Sequence, residues 1–185
     1  MDKIMNEVCV FLADGFEEIE GLTVVDLLRR AGIETRTVSI MGQEEIKGAH
    51  GIIVKADSLF ENTDFSEVKM LVLPGGMPGT IHLKEHKGLE ELILKHNEEK
   101  KYLAAICAAP TVFGGILKGK KAICYPGMEE GLIGAEVTCQ PAVTDGHITT
   151  SRGLGTAIDF ALALISELRD KESADTISKQ VVYER

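Results

Sequence analysis

Residues 102–110 read YLAAICAAP, a short apolar run that stops against a proline. A proline at position 110 suits the first turn of a helix, where a missing N–H costs little. A strand over 102–106 must therefore hand over to a helix over 110–117 within three residues. Small side chains at Ala105, Ala108 and Ala109 permit that tight a turn, and Cys107 falls on the elbow itself. Working outward, the same alternation recurs along the chain. Continuous apolar runs at 7–12 (EVCVFL) and 69–73 (KMLVL) have the character of strands buried on both faces. Strands are also expected at 35–40, 52–54, 121–125, 136–139 and 147–150. Helical patterns fall at 21–31, 89–100 and 156–169, the last (TAIDFALALISELR) being the clearest in the chain. A polar tail is expected from Asp170 onward. Strands and helices that alternate with no break in composition predict one domain over residues 1–185. Its architecture is α/β, a doubly wound and mostly parallel sheet with helices on both faces.

Composition narrows the function classes. The 185 residues are 44% hydrophobic and 26% charged, as in ordinary globular proteins. A formal net charge of -9 gives no general attraction for nucleic acid or an anionic membrane. No apolar run is long enough for a membrane span, and acidic residues follow 8–13 too closely for a signal peptide. The four cysteines (Cys9, Cys107, Cys124, Cys139) form no CxxC pair, so neither a metal set nor a disulfide framework is expected. These features favour a cytoplasmic protein.

In open α/β sheets the chemistry lies beyond the C-terminal ends of the strands. At Cys107 the positive end of the following helix is expected to lower the thiol pKa. Position alone leaves a reactive thiol and a core filler both open. Cys9, Cys124 and Cys139 sit in extended segments and read as core. After the first strand comes ADGFEEIE (13–20), whose three glutamates have the ordinary reading of a solvated acidic helix turn. Glu20 lies three residues beyond Glu17, so those two share a face while Glu18 points elsewhere. An inward carboxyl near Cys107 could exchange a proton with it. LPGGMPG (73–79) puts Gly75 and Gly76 after a buried strand, either as a plain turn or as backbone N–H donors for an anion. SRGLGT (151–156) is a further glycine-rich strand-to-helix junction that could line the same cleft, without a Walker pattern.

In this order, FLADGFEEIE, VVDLLRRAGI, LVLPGG, AAICAAP and TSRGLGTAIDF resemble the ThiJ/PfpI superfamily. They look most like its branch of the parkinsonism-associated deglycase and the bacterial YajL-like proteins. The resemblance covers residues 7–168 and implies a flavodoxin-like fold assembled as a homodimer. It also implies that Cys107 is the reactive thiol and Glu20 the acid bonded to it. Gly75, Gly76 and the backbone of Ala108 would be the oxyanion donors. The implied activity is a glyoxalase or deglycase acting on 2-oxoaldehydes such as methylglyoxal, or on their adducts, with no cofactor or metal. A redox-sensing stress protein or chaperone using the same cysteine is the alternative. A cysteine peptidase or amidase is disfavoured, because Tyr125 stands where the human relative has a histidine and Ala108 where the peptidase branch has one. His50, across a dimer interface, or His147 could supply an imidazole, although surface and strand-end positions explain both.

Overall fold

The computed structural model describes residues 8–184. In chain order the elements are β1 (Val8–Leu12), α1 (Glu18–Arg30), β2 (Thr35–Ser39), β3 (Glu45–Lys47), β4 (Ile53–Lys55), β5 (Ser58–Leu59), β6 (Met70–Leu73), α2 (Gly79–Glu85) and α3 (Lys87–Glu98). The chain continues through β7 (Tyr102–Ile106), α4 (Pro110–Phe113), β8 (Lys121–Ala122), β9 (Glu136–Val137), β10 (Ala142–Asp145), β11 (Ile148–Ser151), α5 (Ala157–Leu168) and α6 (Lys171–Gln180). Seven strands form one sheet in the order β10-β11-β7-β6-β1-β2-β5. All its pairs are parallel except β10 with β11. This is the flavodoxin-like α/β arrangement expected from the sequence.

Successive residues of the central strands face opposite sides, and the core divides accordingly. Val8, Val10 and Leu12 of β1, with Ala104 and Ile106 of β7, pack under α1, α5 and α6. Cys9 and Phe11, with Leu71, Leu73, Leu103 and Ala105, pack under α2, α3 and α4. Both faces are covered, so the strands read as uninterrupted apolar runs.

The first strand was expected from Glu7, which lies outside the described residues; within them it runs over Val8–Leu12 as expected. Other expectations are corrected. The polar connection over 42–50 contains β3, which pairs antiparallel with β4 as a small hairpin. The tail after Asp170 is helical: Asp170 caps α6 through Ser173 N–H, and Ala174 and Ile177 bury against the core. Cys139 is exposed rather than core, whereas Cys9 and Cys124 are buried. Only 110–113 is α-helical after the Cys107 elbow, and 114–117 continues as a 3₁₀ turn.

The chain leaves β1 toward β2 on one side, then returns beyond β1 to form β6 and β7 on the other. Neighbouring loops after β1 and β6 thus diverge, which opens a crevice at the C-terminal edge of the sheet. Among the described residues no helix is long and apolar enough to cross a membrane.

Phe160 of α5 is fully buried, whereas Leu94 of α3 is 47% exposed. Phe160→Ala should cost roughly 3–5 kcal/mol, and Leu94→Ala less than about 0.5 kcal/mol, measured by urea denaturation.

Candidate active site

Four strand ends meet at the crevice. β7 ends at Ile106, and Cys107 adopts φ 65°, a left-handed conformation unusual for a residue with a side chain. Two backbone hydrogen bonds hold it there. The Cys107 N–H donates to Ser151 O at 3.0 Å, extending the ladder between β7 and β11 by one step. The Cys107 carbonyl accepts from Tyr125 N–H at 2.8 Å. Without these bonds, such a conformation would cost on the order of 1–3 kcal/mol.

Glu20 enters from the first turn of α1 and is 1% exposed. Its carboxyl hydrogen-bonds the Cys107 thiol and accepts from the backbone N–H groups of Gly75 and Leu154. The Gly75 bond is 2.9 Å long. A Cβ added at Gly75 would lie 2.5 Å from the Cys107 Cβ and 2.6 Å from Glu20 Oε2, so only glycine fits between acid and thiol. Gly76 adopts φ 92° and packs against the backbone of residues 15–17, where a side chain has no room. The backbone N–H groups of Gly76 and Ala108 face the Cys107 sulfur.

The expected placements thus converge for Cys107, Glu20, Gly75, Gly76 and Ala108. One detail changes: the Gly75 N–H is committed to Glu20, leaving those of Gly76 and Ala108 at the sulfur. The histidines do not join them. His147 precedes β11 at the opposite end of the sheet, where its Nε2 meets Asn97 Oδ1 at 2.9 Å. His50 is bound to Glu17 and Glu18 instead. Leu154 N–H was not anticipated, although it lies in the glycine-rich junction that sequence placed near the cleft.

The acidic turn is not a solvated face. Glu17, Glu18 and Glu20 are 9%, 1% and 1% exposed, respectively. Glu17 caps α1 through Ile19 N–H. Glu18 does point elsewhere, into the loop over 48–52. Burial would raise its pKa, but hydrogen bonds from that loop outweigh burial and hold it below the usual range.

The thiol also departs from expectation. Burial first, then the Glu20 charge and their shared hydrogen bond, push Cys107 up to about 12 against the pull of the Ala108 and Gly76 N–H groups. The expected lowering by a helix fails because α4 has only four residues and a correspondingly weak dipole. Burial pushes Glu20 up to about 7, and the nearby Glu17 charge adds to the rise. Between them, acid and thiol give up their first proton near neutrality and the second only at high pH. At neutral pH the thiol therefore keeps its proton, and the Glu20 carboxyl is the titratable group in hydrogen-bond contact with it.

Comparison with known proteins places this geometry. Residues 6–167 match the DJ-1/PfpI family. The chain belongs to that family. It is 37% identical over 186 residues to the DJ-1 homolog B of Arabidopsis thaliana, covering 98% of this chain and 42% of the plant protein. The chain thus spans less than half the length of that plant relative. It is 34% identical over 150 residues to a deglycase of Pyrococcus abyssi, covering 78% of this chain and 89% of the archaeal one. Among solved structures, the oxidized DJ-1 of Toxoplasma gondii superposes with a TM-score of 0.92 at 35% identity, over 96% of this chain and 98% of that one. A relative of this chain is thus named a deglycase, and the solved DJ-1 of Toxoplasma gondii shares its fold.

Glu20 has its pKa raised from 4.5 to about 7 on folding, so the folded protein holds that proton more tightly than the unfolded chain. The resulting stabilisation is complete below about pH 4.5 and is lost as pH rises to about 7. Across that window the wild type should lose on the order of 3 kcal/mol relative to Glu20→Gln. Urea denaturation of both proteins at the two ends of the window measures the difference.

Proposed function

We propose that this protein is a glyoxalase- or deglycase-type enzyme. On this reading it converts 2-oxoaldehydes such as methylglyoxal, or their adducts, through a covalent bond to Cys107. The observation that supports this most is the hydrogen-bonded Cys107–Glu20 pair, whose acid member titrates near neutrality. A general acid–base group works best when its pKa lies near the working pH.

In this mechanism the Glu20 carboxylate takes the thiol proton as Cys107 sulfur attacks the aldehyde carbon. That proton passes to the former carbonyl oxygen, giving a neutral hemithioacetal. The N–H groups of Gly76 and Ala108 stabilise the oxyanion before it is protonated. Glu20, again a carboxylate, removes the hydrogen on C1 and returns it to C2 while the C1 hydroxyl proton passes to the C2 oxygen, so that a ketone beside a hemithioacetal becomes a 2-hydroxy thioester. Water cleaves the thioester to a 2-hydroxy acid and restores the thiol. No oxidant is consumed, because one carbon is oxidised as its neighbour is reduced. We place the enzyme in the cytoplasm as a homodimer, the state expected of its relatives and testable by light scattering.

Methylglyoxal should yield lactate, and the rate should rise with pH through about 7, where Glu20 ionises. Glu20→Gln should lower kcat/KM by roughly 10²–10⁴-fold and abolish that rise, and Cys107→Ala should eliminate turnover. Full activity in either variant overturns the mechanism. Repair of a glycated peptide that persists while free aldehyde is scavenged assigns the deglycase activity, and loss of repair under those conditions assigns the glyoxalase.

A redox role for the same thiol is the second reading. It is supported by the partial exposure of Cys107, by two backbone N–H groups at its sulfur, and by the oxidized state of the Toxoplasma relative. Mild peroxide should then add two oxygens at Cys107 alone, giving a sulfinate that Glu20 can hold. Intact-mass and peptide analysis read the change, and equal oxidation of exposed Cys139 counts against it.

A further inference from the structure

Two hydroxyl groups meet in the junction that follows β11. Ser151 closes that strand and is fully buried. Its Oγ lies 2.7 Å from Thr156 Oγ1 and 2.7 Å from the Pro141 carbonyl oxygen. Thr156 Oγ1 accepts from the Gly153 N–H at 3.2 Å and lies 2.9 Å from the Gly153 carbonyl oxygen. Each hydroxyl has one proton to give. The Gly153 carbonyl already accepts from Thr156 N–H at 2.9 Å, which frees the Thr156 proton for Ser151 and the Ser151 proton for Pro141. The bonds then run in one direction, from Gly153 N–H through Thr156 and Ser151 to the Pro141 carbonyl, an order in which each bond polarises the next.

This chain of bonds ties the two ends of the turn over 152–155 to each other and to the start of β10. Glycines at 153 and 155 give that turn little backbone preference of its own. Between them lies Leu154, whose N–H reaches the Glu20 carboxyl. Ser151 also touches the other half of the site, since its carbonyl accepts from Cys107 N–H at 3.0 Å. One residue therefore anchors the thiol through its backbone and a donor to the acid through its side chain.

We propose that the Ser151 and Thr156 hydroxyls are positioning groups that hold the Leu154 N–H on the Glu20 carboxyl. Their role rests on the proposed use of Glu20 as acid and base, but their effect is read on its ionisation and not on turnover. A hydrogen bond from Leu154 favours the carboxylate, so releasing the turn raises the pH at which Glu20 ionises. The other groups that act on Glu20 stay in place: Glu17 from α1, Cys107 from the elbow and the Gly75 N–H after β6. Arg152, the charged residue of the turn, acts on Glu129 instead.

The test is an NMR pH titration of the full chain with isotope-labelled glutamate carboxyls, the Glu20 signal being assigned by its loss in Glu20→Gln. Thr156→Val and Ser151→Ala should each raise the Glu20 midpoint by about one pH unit. Thr156→Ser, which keeps the hydroxyl, should retain the wild-type value. Thr144→Val is the structural control, because it breaks a hydroxyl pair of similar length, Thr144 with Thr149 at 2.9 Å, on the same β10–β11 hairpin. It should lower the thermal midpoint without moving that of Glu20. Circular dichroism verifies folding, and should Ser151→Ala fail to fold, the near-isosteric change at partly buried Thr156 carries the test. An unmoved midpoint in Thr156→Val, or an equal shift in Thr156→Ser or Thr144→Val, overturns the proposal and leaves a structural bond only. Methylglyoxal turnover does not enter, so failure of the proposed reaction is a separate result.

Discussion

A buried carboxyl group and a half-buried thiol share a hydrogen bond at the C-terminal edge of the sheet. Most of the local architecture is a consequence of making that pair tolerable. A buried carboxyl without partners is costly. Here Glu20 has three partners, each from a different connection: Gly75 after β6, Cys107 after β7, and Leu154 after β11. Its own helix follows β1. The strand order places those four ends side by side, so the parallel sheet is what permits the carboxyl to be satisfied. Glycine at 75 follows from the same constraint, because the N–H must approach one oxygen while the thiol occupies the space a side chain would need.

The elbow imposes the opposite requirement. Glu20 is stabilised where it lies, whereas Cys107 is held in a conformation its backbone does not favour. Pro110 allows no gradual entry into a helix, so the turn is confined to three residues. The bonds to Ser151 and Tyr125 come from segments more than a dozen residues away, which makes the elbow a tertiary feature rather than a local one. This separates the site from a cysteine cap on a long helix, where the dipole would do the activating. Here the thiol is activated, in the proposed chemistry, by a base already in contact with it.

Legibility in the sequence follows burial. The central strands β1, β6 and β7 were readable because both faces are covered, leaving runs such as VCVFL and MLVL without polar interruption. Helix α5 was readable because its apolar face is wide. The hairpin of β3 (EIK) and β4 (IVK) escaped notice, since its outward positions are charged or exposed and Ile46 alone is fully buried. Helix α6 (KESADTISKQ) looked like a tail because only Ala174 and Ile177 among its residues are buried. Helix α2, hidden behind LPGGMPG, opens on a glycine and runs for seven residues, too few to establish a period. At the site, the elbow was legible because proline and alanine act locally. The ionisation of the thiol was not, because burial and a carboxylate 87 positions earlier in the chain oppose the short helix that sequence alone suggested.

The three glutamates of FEEIE show why spacing could narrow the candidates without assigning them. They are the same residue type within four positions, and all three are largely removed from solvent. Glu17 spends one oxygen on the helix cap, so it is fixed by α1 itself. Glu18, one residue on, turns toward the loop over 48–52 and is held ionised by backbone donors. Glu20, a further helical step along, meets the thiol and two N–H groups, yet burial dominates and raises it toward neutrality. The donors differ less in number than in what competes with them. Around Glu18 they outweigh burial, whereas around Glu20 burial and the Glu17 charge outweigh them. A carboxyl able to take a proton near pH 7 thus arises here from incomplete compensation. A site that satisfied Glu20 as fully as Glu18 would hold it permanently ionised, too weak a base to draw a proton from sulfur.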